Sequence, residues 1–253
     1  MRNYFTRIKK SEFTQNTITL TVGTVIAQCI PILLQPFLRR MYSPEDFGAL
    51  AVYLNIFGIL TIVASLRYEA AIVLPKSDNE AANVLSLGVF ITFLFSLFFF
   101  LIIFFFKTPL VELINFPVKF SNYLYFLPLT TFLFSVFQNI NYWLIRQKAF
   151  KASSINKISR RATEGLLHLF FGIIKFPAGL IIGDLAGNLT NTLSGINQIK
   201  KNKFSLNQVS LSRMKLTFIK YNEFPKYNVL PTLLGTASTM LPFIFINKLY
   251  SSE

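Results

Sequence analysis

Five stretches of this chain run for 20 residues or more without a charged side chain: 13–38, 47–66, 81–106, 120–145 and 227–247. At 1.5 Å rise per residue, roughly 20 mostly apolar residues form a helix long enough to cross the hydrocarbon of a bilayer. A helix also satisfies its own backbone amides there, which an open strand cannot do. A soluble domain would hold about 25% charged residues and break such runs. Here 14% are charged and mean hydropathy is +0.50. These features exclude a soluble enzyme, a DNA-binding domain and a disulfide-stapled secreted module. The fold class expected is all-α, a polytopic transmembrane helical bundle.

Hydrophobic patterning predicts about seven spans, at roughly 17–38, 48–66, 84–106, 123–145, 162–175, 178–197 and 227–247. Glu164, Lys175 and Asp184 interrupt the fifth and sixth. Pro177 disfavours helix at the residue before it, so the split is placed at Lys175-Phe176-Pro177. Of the 25 Lys and Arg, 19 fall on the N-terminus and the connections after spans two, four and six. That bias predicts a cytoplasmic N-terminus, with Lys151 and Lys203 inside and Lys119 outside. Merging spans five and six would destroy it. The net charge of +14 is thereby read as orientation, and no nucleic-acid partner is expected. The lone cysteine, Cys29, allows no disulfide within the chain. The apolar run after the basic start is too long for a cleavable signal. The organisation expected is a six-helix lobe over 1–197, a basic cytoplasmic connection over 198–226 and a seventh span within 227–253. A multi-pass protein of the plasma membrane follows, the inner membrane in a Gram-negative cell.

Polar residues recur at helical spacing inside several spans. Thr17, Thr21, Thr24, Gln28, Pro31 and Gln35 share one face of the first. Thr131, Ser135, Gln138, Tyr142 and Arg146 share one of the fourth, and Asp184, Asn188, Asn191 and Gln198 one of the sixth. Glu164, His168 and Lys175 mark the fifth. Polar groups are costly in hydrocarbon, so these rows must turn inward. Interhelical hydrogen bonding explains any one of them, whereas four rows together point to a hydrated cleft and to transport. Gln28, Gln138 and Asn188 are then expected to meet water, and Phe98 and Phe99 to meet lipid. The third span holds nine of the 29 Phe and nothing ionisable.

Among the ionisable groups, His168 titrates near neutrality and Asp184 sits near a helix end, making both candidates for ion coupling. Arg67 and Glu69 are expected to pair as a local clasp. Gly179, Gly183 and Gly187, spaced by four, mark a close helix contact. There is no zinc-ligand spacing, phosphate-binding loop or dinucleotide fingerprint. No cofactor, metal or enzymatic activity is expected.

Several segments in order carry a family resemblance: Tyr42-Ser43-Pro44-Glu45-Asp46-Phe47-Gly48, Arg67-Tyr68-Glu69 through Pro75, Asn141-Tyr142 with Arg146, Phe150 and Lys151, Gly179 to Gly183, and Glu223-Phe224-Pro225-Lys226-Tyr227. Together they resemble the O-antigen or polysaccharide flippases of the multidrug and oligosaccharidyl-lipid exporter superfamily. The resemblance implies movement of an undecaprenyl-pyrophosphate-linked oligosaccharide between leaflets, through a cavity with cationic groups between two helical lobes. Gln28, Gln35, Arg39, Arg67, Gln138, Asn141, Arg146, Asp184 and Asn188 are the pathway candidates. The chain resembles the first lobe and the start of the second. The form expected is therefore a truncated flippase that does not flip substrate alone and that self-associates, recruits a second lobe or is degraded. An integral membrane enzyme acting on polyprenyl lipids, and a non-transporting scaffold or decayed gene product, are the competing readings.

Overall fold

The computed structural model describes residues 12–249. Arg2, Arg7, Lys9 and Lys10 of the orientation argument, and the side chains of Thr17 and Lys248, lie outside what it describes. Among the described residues nine helices follow one another: α1 (Glu12–Met41), α2 (Pro44–Ala64), α3 (Tyr68–Ala71), α4 (Asp78–Leu113), α5 (Phe126–Arg146), α6 (Phe150–Ile173), α7 (Gly179–Lys201), α8 (Leu211–Lys220) and α9 (Glu223–Leu249). Tight 3-10 turns cover Val118–Tyr125 and Leu206–Gln208, and no strand occurs among the described residues. This is an all-α membrane bundle. Among the described residues, four stretches are long and apolar enough to cross a membrane: Ile18–Met41, Pro44–Ala64, Asp78–Leu113 and Val118–Arg146.

Local chemistry explains where these helices begin and break. Ser43 caps α2: its hydroxyl accepts from the Asp46 amide at 3.2 Å while the Asp46 carboxylate accepts from the Ser43 amide at 2.8 Å. Pro44 fits the first helical position, where no amide donor is needed. In α4, Pro109 cannot donate to the preceding turn, and the backbone leaves helical geometry at Phe106. Between α6 and α7 the chain turns at Lys175, which holds a left-handed φ of 54°. The Phe176 amide then donates back to the Phe171 carbonyl at 2.9 Å. The break expected at Lys175-Phe176-Pro177 is thus made by a left-handed cap as well as by the proline.

Two stretches hold more helix than the hydrophobic patterning placed there. The fifth helix begins at Phe150, not near 162, so the connection after α5 shrinks to Gln147–Ala149 and its cations ride on α6. The 198–226 stretch, expected as a connection, holds the end of α7 and the whole of α8. Met214, Thr217 and Tyr221 face inward at helical spacing, with Thr217 and Tyr221 buried. Glu80 of α4 accepts from Tyr221 Oη at 2.8 Å and from Lys220 Nζ at 2.5 Å. The carboxylate bonded to it holds the Lys220 ammonium above its ordinary value.

Besides a small cluster of Leu38, Tyr42 and Leu180, the apolar core among the described residues forms two larger clusters. One cluster joins Ile72, Leu85, Ile140 and Trp143, from α3 to α5, with Ile199 of α7. The other joins Tyr53, Ile103, Phe120, Leu127 and Ile181. The Phe-rich flank of α4, including Phe98, Phe104, Phe105 and Phe106, faces outward as a lipid-facing surface should. α1 packs chiefly on α6, and α9 on α2 and α3.

Candidate functional site

The site is built on the seam between α6 and α7. A Cβ on Gly179 would stand 2.3 Å from Phe171 Cβ, and one on Gly183 would stand 2.3 Å from His168 Cδ2. A Cβ on Gly187 would lie 3.1 Å from both the Arg160 carbonyl and Glu164 Cβ. The three glycines therefore let the helices approach until dispersion and close packing hold them, the force available where lipid tails are as apolar as side chains. Tyr42 fastens α1 to the same seam by donating to the His168 carbonyl at 2.7 Å. Burial pushes its phenol up to about 12, so the donor persists across the physiological range.

Close packing places a charged pair inside. Arg160 Nη2 lies 3.3 Å from Asp184 Oδ1, with side-chain exposures of 15% and 4%. Asn188 Nδ2 donates to the other Asp184 oxygen at 3.1 Å, and the guanidinium carbon stands 5.4 Å from the centroid of the Phe134 ring. His168 Nε2 meets the Leu180 carbonyl at 2.9 Å, and Arg161 pairs with Glu164 at 2.8 Å. Among the described residues, no three His, Cys, Asp or Glu side chains are grouped to hold a metal ion.

Beside this seam, α1 lays its polar row along three neighbouring cavities. The first, of about 200 Å³, has Thr24 and Gln28 on one wall, Gln138 and Asn141 on another, and Lys157, Arg160 and Arg161 on the third. Lys157 Nζ donates to Thr24 Oγ1 at 3.0 Å. Asn191 Oδ1 and Arg160 Nε are buried there without a protein hydrogen-bond partner. Arg161 also lines the second cavity, of about 100 Å³, with Gln35, Glu164 and His168. Gln35 continues into the third, of about 380 Å³, where Arg39 and Tyr42 stand. Successive turns of α1 thus present Thr24, Gln28, Gln35 and Arg39 to one path. Lys157 and Arg39 add positive charge to it, Arg160 and Arg161 bring guanidinium groups already paired with Asp184 and Glu164, and polar groups of this kind can hold an anionic, hydroxyl-rich molecule.

The structure brings some sequence-predicted residues together and separates others. Gln28, Gln35, Arg39, Gln138 and Asn141 line the path, and Asp184 and His168 stand against it. Asn188 is fully buried, turned toward Asp184 and away from the cavity. Arg67 lies off the path, in a left-handed turn with the expected clasp to Glu69 at 3.2 Å. Arg146 is spent on a corner, donating to Asp78 at 3.0 Å and to the Pro75 carbonyl at 2.5 Å. Asn141 also accepts from Ser153 at 2.5 Å. Lys157, Arg160 and Arg161 were not expected in the site. Their spacing with Glu164 and His168 is the helical one that would have placed them.

A family model for polysaccharide biosynthesis proteins matches residues 13–202. The chain belongs to this family. The match runs from α1 through α7, so it contains the seam, the buried pair and all three cavities. Membership ties the protein to polysaccharide synthesis or export. No curated protein and no solved structure matches the chain. The segments carrying the resemblance act as structural corners: Ser43 and Asp46 cap a helix, the Arg67–Glu69 turn sets α3, and Arg146 ties α5 to α4.

Proposed function

We propose that this bundle forms one wall of a pathway for a polyprenyl-pyrophosphate-linked oligosaccharide, as in a lipid-linked oligosaccharide flippase. The observation carrying this reading is the row Thr24, Gln28, Gln35 and Arg39 facing Lys157, Arg160 and Arg161, within a bundle whose other flank is Phe-rich. Cations suit the pyrophosphate, amides and hydroxyls suit the sugar, and the apolar flank suits the lipid. In this reading the chain crosses the plasma membrane seven times from a cytoplasmic N-terminus, with α6 and α7 as inner polar helices. Gln28 and Arg39 are exposed, and a second bundle, either a second lobe or a second copy, closes over them. Asp184 and His168 couple an ion to the movement between the two bundles.

Binding to the purified full chain in nanodiscs tests the proposal. A fluorescent short-chain polyprenyl-pyrophosphate disaccharide is expected to bind, and Lys157→Gln with Arg161→Gln to weaken binding roughly ten- to hundredfold, the worth of one charged hydrogen bond or more. Unchanged affinity in the double variant would remove the cavity from the pathway.

A further inference from the structure

On a face formed by α4, α5 and α7, distinct from the path along α1, lies a groove of about 530 Å³. Its floor is Leu85, Val136 and Ile140, all buried, and Val89 and Ile196 form its sides. Lys200, with Ser205 and Asn207, closes one end. α9 packs elsewhere, on α2 and α3.

The groove's two ends lie at different depths. Asn83 of α4 accepts from the Ser210 amide and donates to the Gln208 carbonyl, each at 2.9 Å. The 202–210 stretch and α8 are thereby fastened to the first turns of α4. Leu85 and Val89 follow two and six residues after Asn83, further into the apolar span. Around the fastened end stand Lys200, Lys201, Lys203, Arg213 and Lys215, all exposed, beside the exposed Leu211, Leu216 and Ile219 of α8. An exposed helix carrying both cations and large apolar residues belongs in the headgroup layer. The groove therefore runs from headgroups at Lys200 into hydrocarbon at Val89.

We infer that the groove is a binding site for an anionic phospholipid, with an acyl chain along Leu85, Val89, Ile140 and Ile196 and the phosphate at Lys200. In a bilayer a concave apolar surface gains its dispersion contacts from a chain that fits it. The cation at the lip selects a headgroup of net negative charge over a zwitterionic one. The inference rests on the membrane placement of the bundle and not on the identity of any transported molecule.

The chain provides its own reporter. Trp143, the single tryptophan, stacks edge-on against Phe204 with ring centroids 5.3 Å apart, and Phe204 lines the groove. The full chain is reconstituted with phosphatidylglycerol or phosphatidylcholine carrying brominated acyl chains, at equal mole fractions. Phosphatidylglycerol is expected to quench Trp143 at roughly fivefold lower mole fraction, the effect of one cation near the surface. Lys200→Gln, a change at an exposed side chain, should bring the two lipids together. Val89→Phe with Ile196→Phe should reduce quenching by both. Equal quenching by the two lipids in the wild type would overturn the proposal, as would a preference that survives Lys200→Gln. Quenching unchanged by filling the groove would overturn it equally. Should the filled variant misfold, shown by red-shifted Trp143 emission, the Lys200→Gln comparison decides alone.

Discussion

Asp184→Ala is expected to lower unfolding stability by roughly 3–5 kcal/mol, because it leaves the Arg160 guanidinium buried without its counter-charge. Arg160 has little to fall back on. Its side chain is 15% exposed, and its Nε already lacks a protein partner. Asn188 loses one acceptor but keeps the Asp184 carbonyl at 2.9 Å. Replacing both charges, as Arg160→Met with Asp184→Leu, should return stability close to that of the wild type, since a buried ion pair contributes little over apolar groups of similar volume. Binding of the lipid-linked sugar should be weakened in the double variant, which removes a cation from the cavity wall. Titration with denaturing detergent measures the first effect, and nanodisc binding the second. A double variant no more stable than Asp184→Ala would show that the pair does more than neutralise itself.

Gly187→Leu should also be damaging, for a different reason. The Cβ alone would sit 3.1 Å from the Arg160 carbonyl, which belongs to the helix backbone and cannot rotate away. Further carbons must push α6 from α7, at a cost of about 1–3 kcal/mol or more, and must shift Arg160 relative to Asp184. Gly48 is the control. It is also helical, yet a Cβ there meets nothing within 4 Å. Gly48→Ala is expected to be neutral or stabilising by up to about 1 kcal/mol, through helix propensity alone. Thermal unfolding of the two variants side by side separates close packing from a general intolerance of change. Equal losses at both positions would refute the seam.

Much of this architecture is legible in the sequence, because membrane burial writes itself as charge-free runs. The runs at 13–38, 47–66, 81–106 and 120–145 become α1, α2, α4 and α5. The α1 row is legible too: helical spacing fixes which of its residues share a face, whatever the neighbouring helix. Lys157, Arg160 and Arg161 were lost for a physical reason. Counting cations to orient a chain treats each as a solvated loop charge, and that count hid their helical period. Arg146 shows the opposite limit, since its partner Asp78 lies 68 positions away and no local pattern announces it. Asn188 and Asn191 lie three apart on α7, yet one turns to Asp184 and the other to the cavity.

On the proposed function, the lipid-linked sugar travels against α1 and α5 rather than across the Phe-rich flank. A photoreactive phenylalanine analogue placed at Gln28, Gln138 or Phe105 of the full chain, in membranes making lipid-linked oligosaccharide, reads this directly. Gln28 and Gln138 line the cavity, whereas Phe105 is 71% exposed on the far side of α4. After illumination, mass spectrometry should find the polyprenyl-pyrophosphate sugar attached at positions 28 and 138, with ordinary phospholipid alone at 105. Capture of the sugar at 105 as strongly as at 138, or its absence from 28 and 138, would rule out a pathway along α1 and α5.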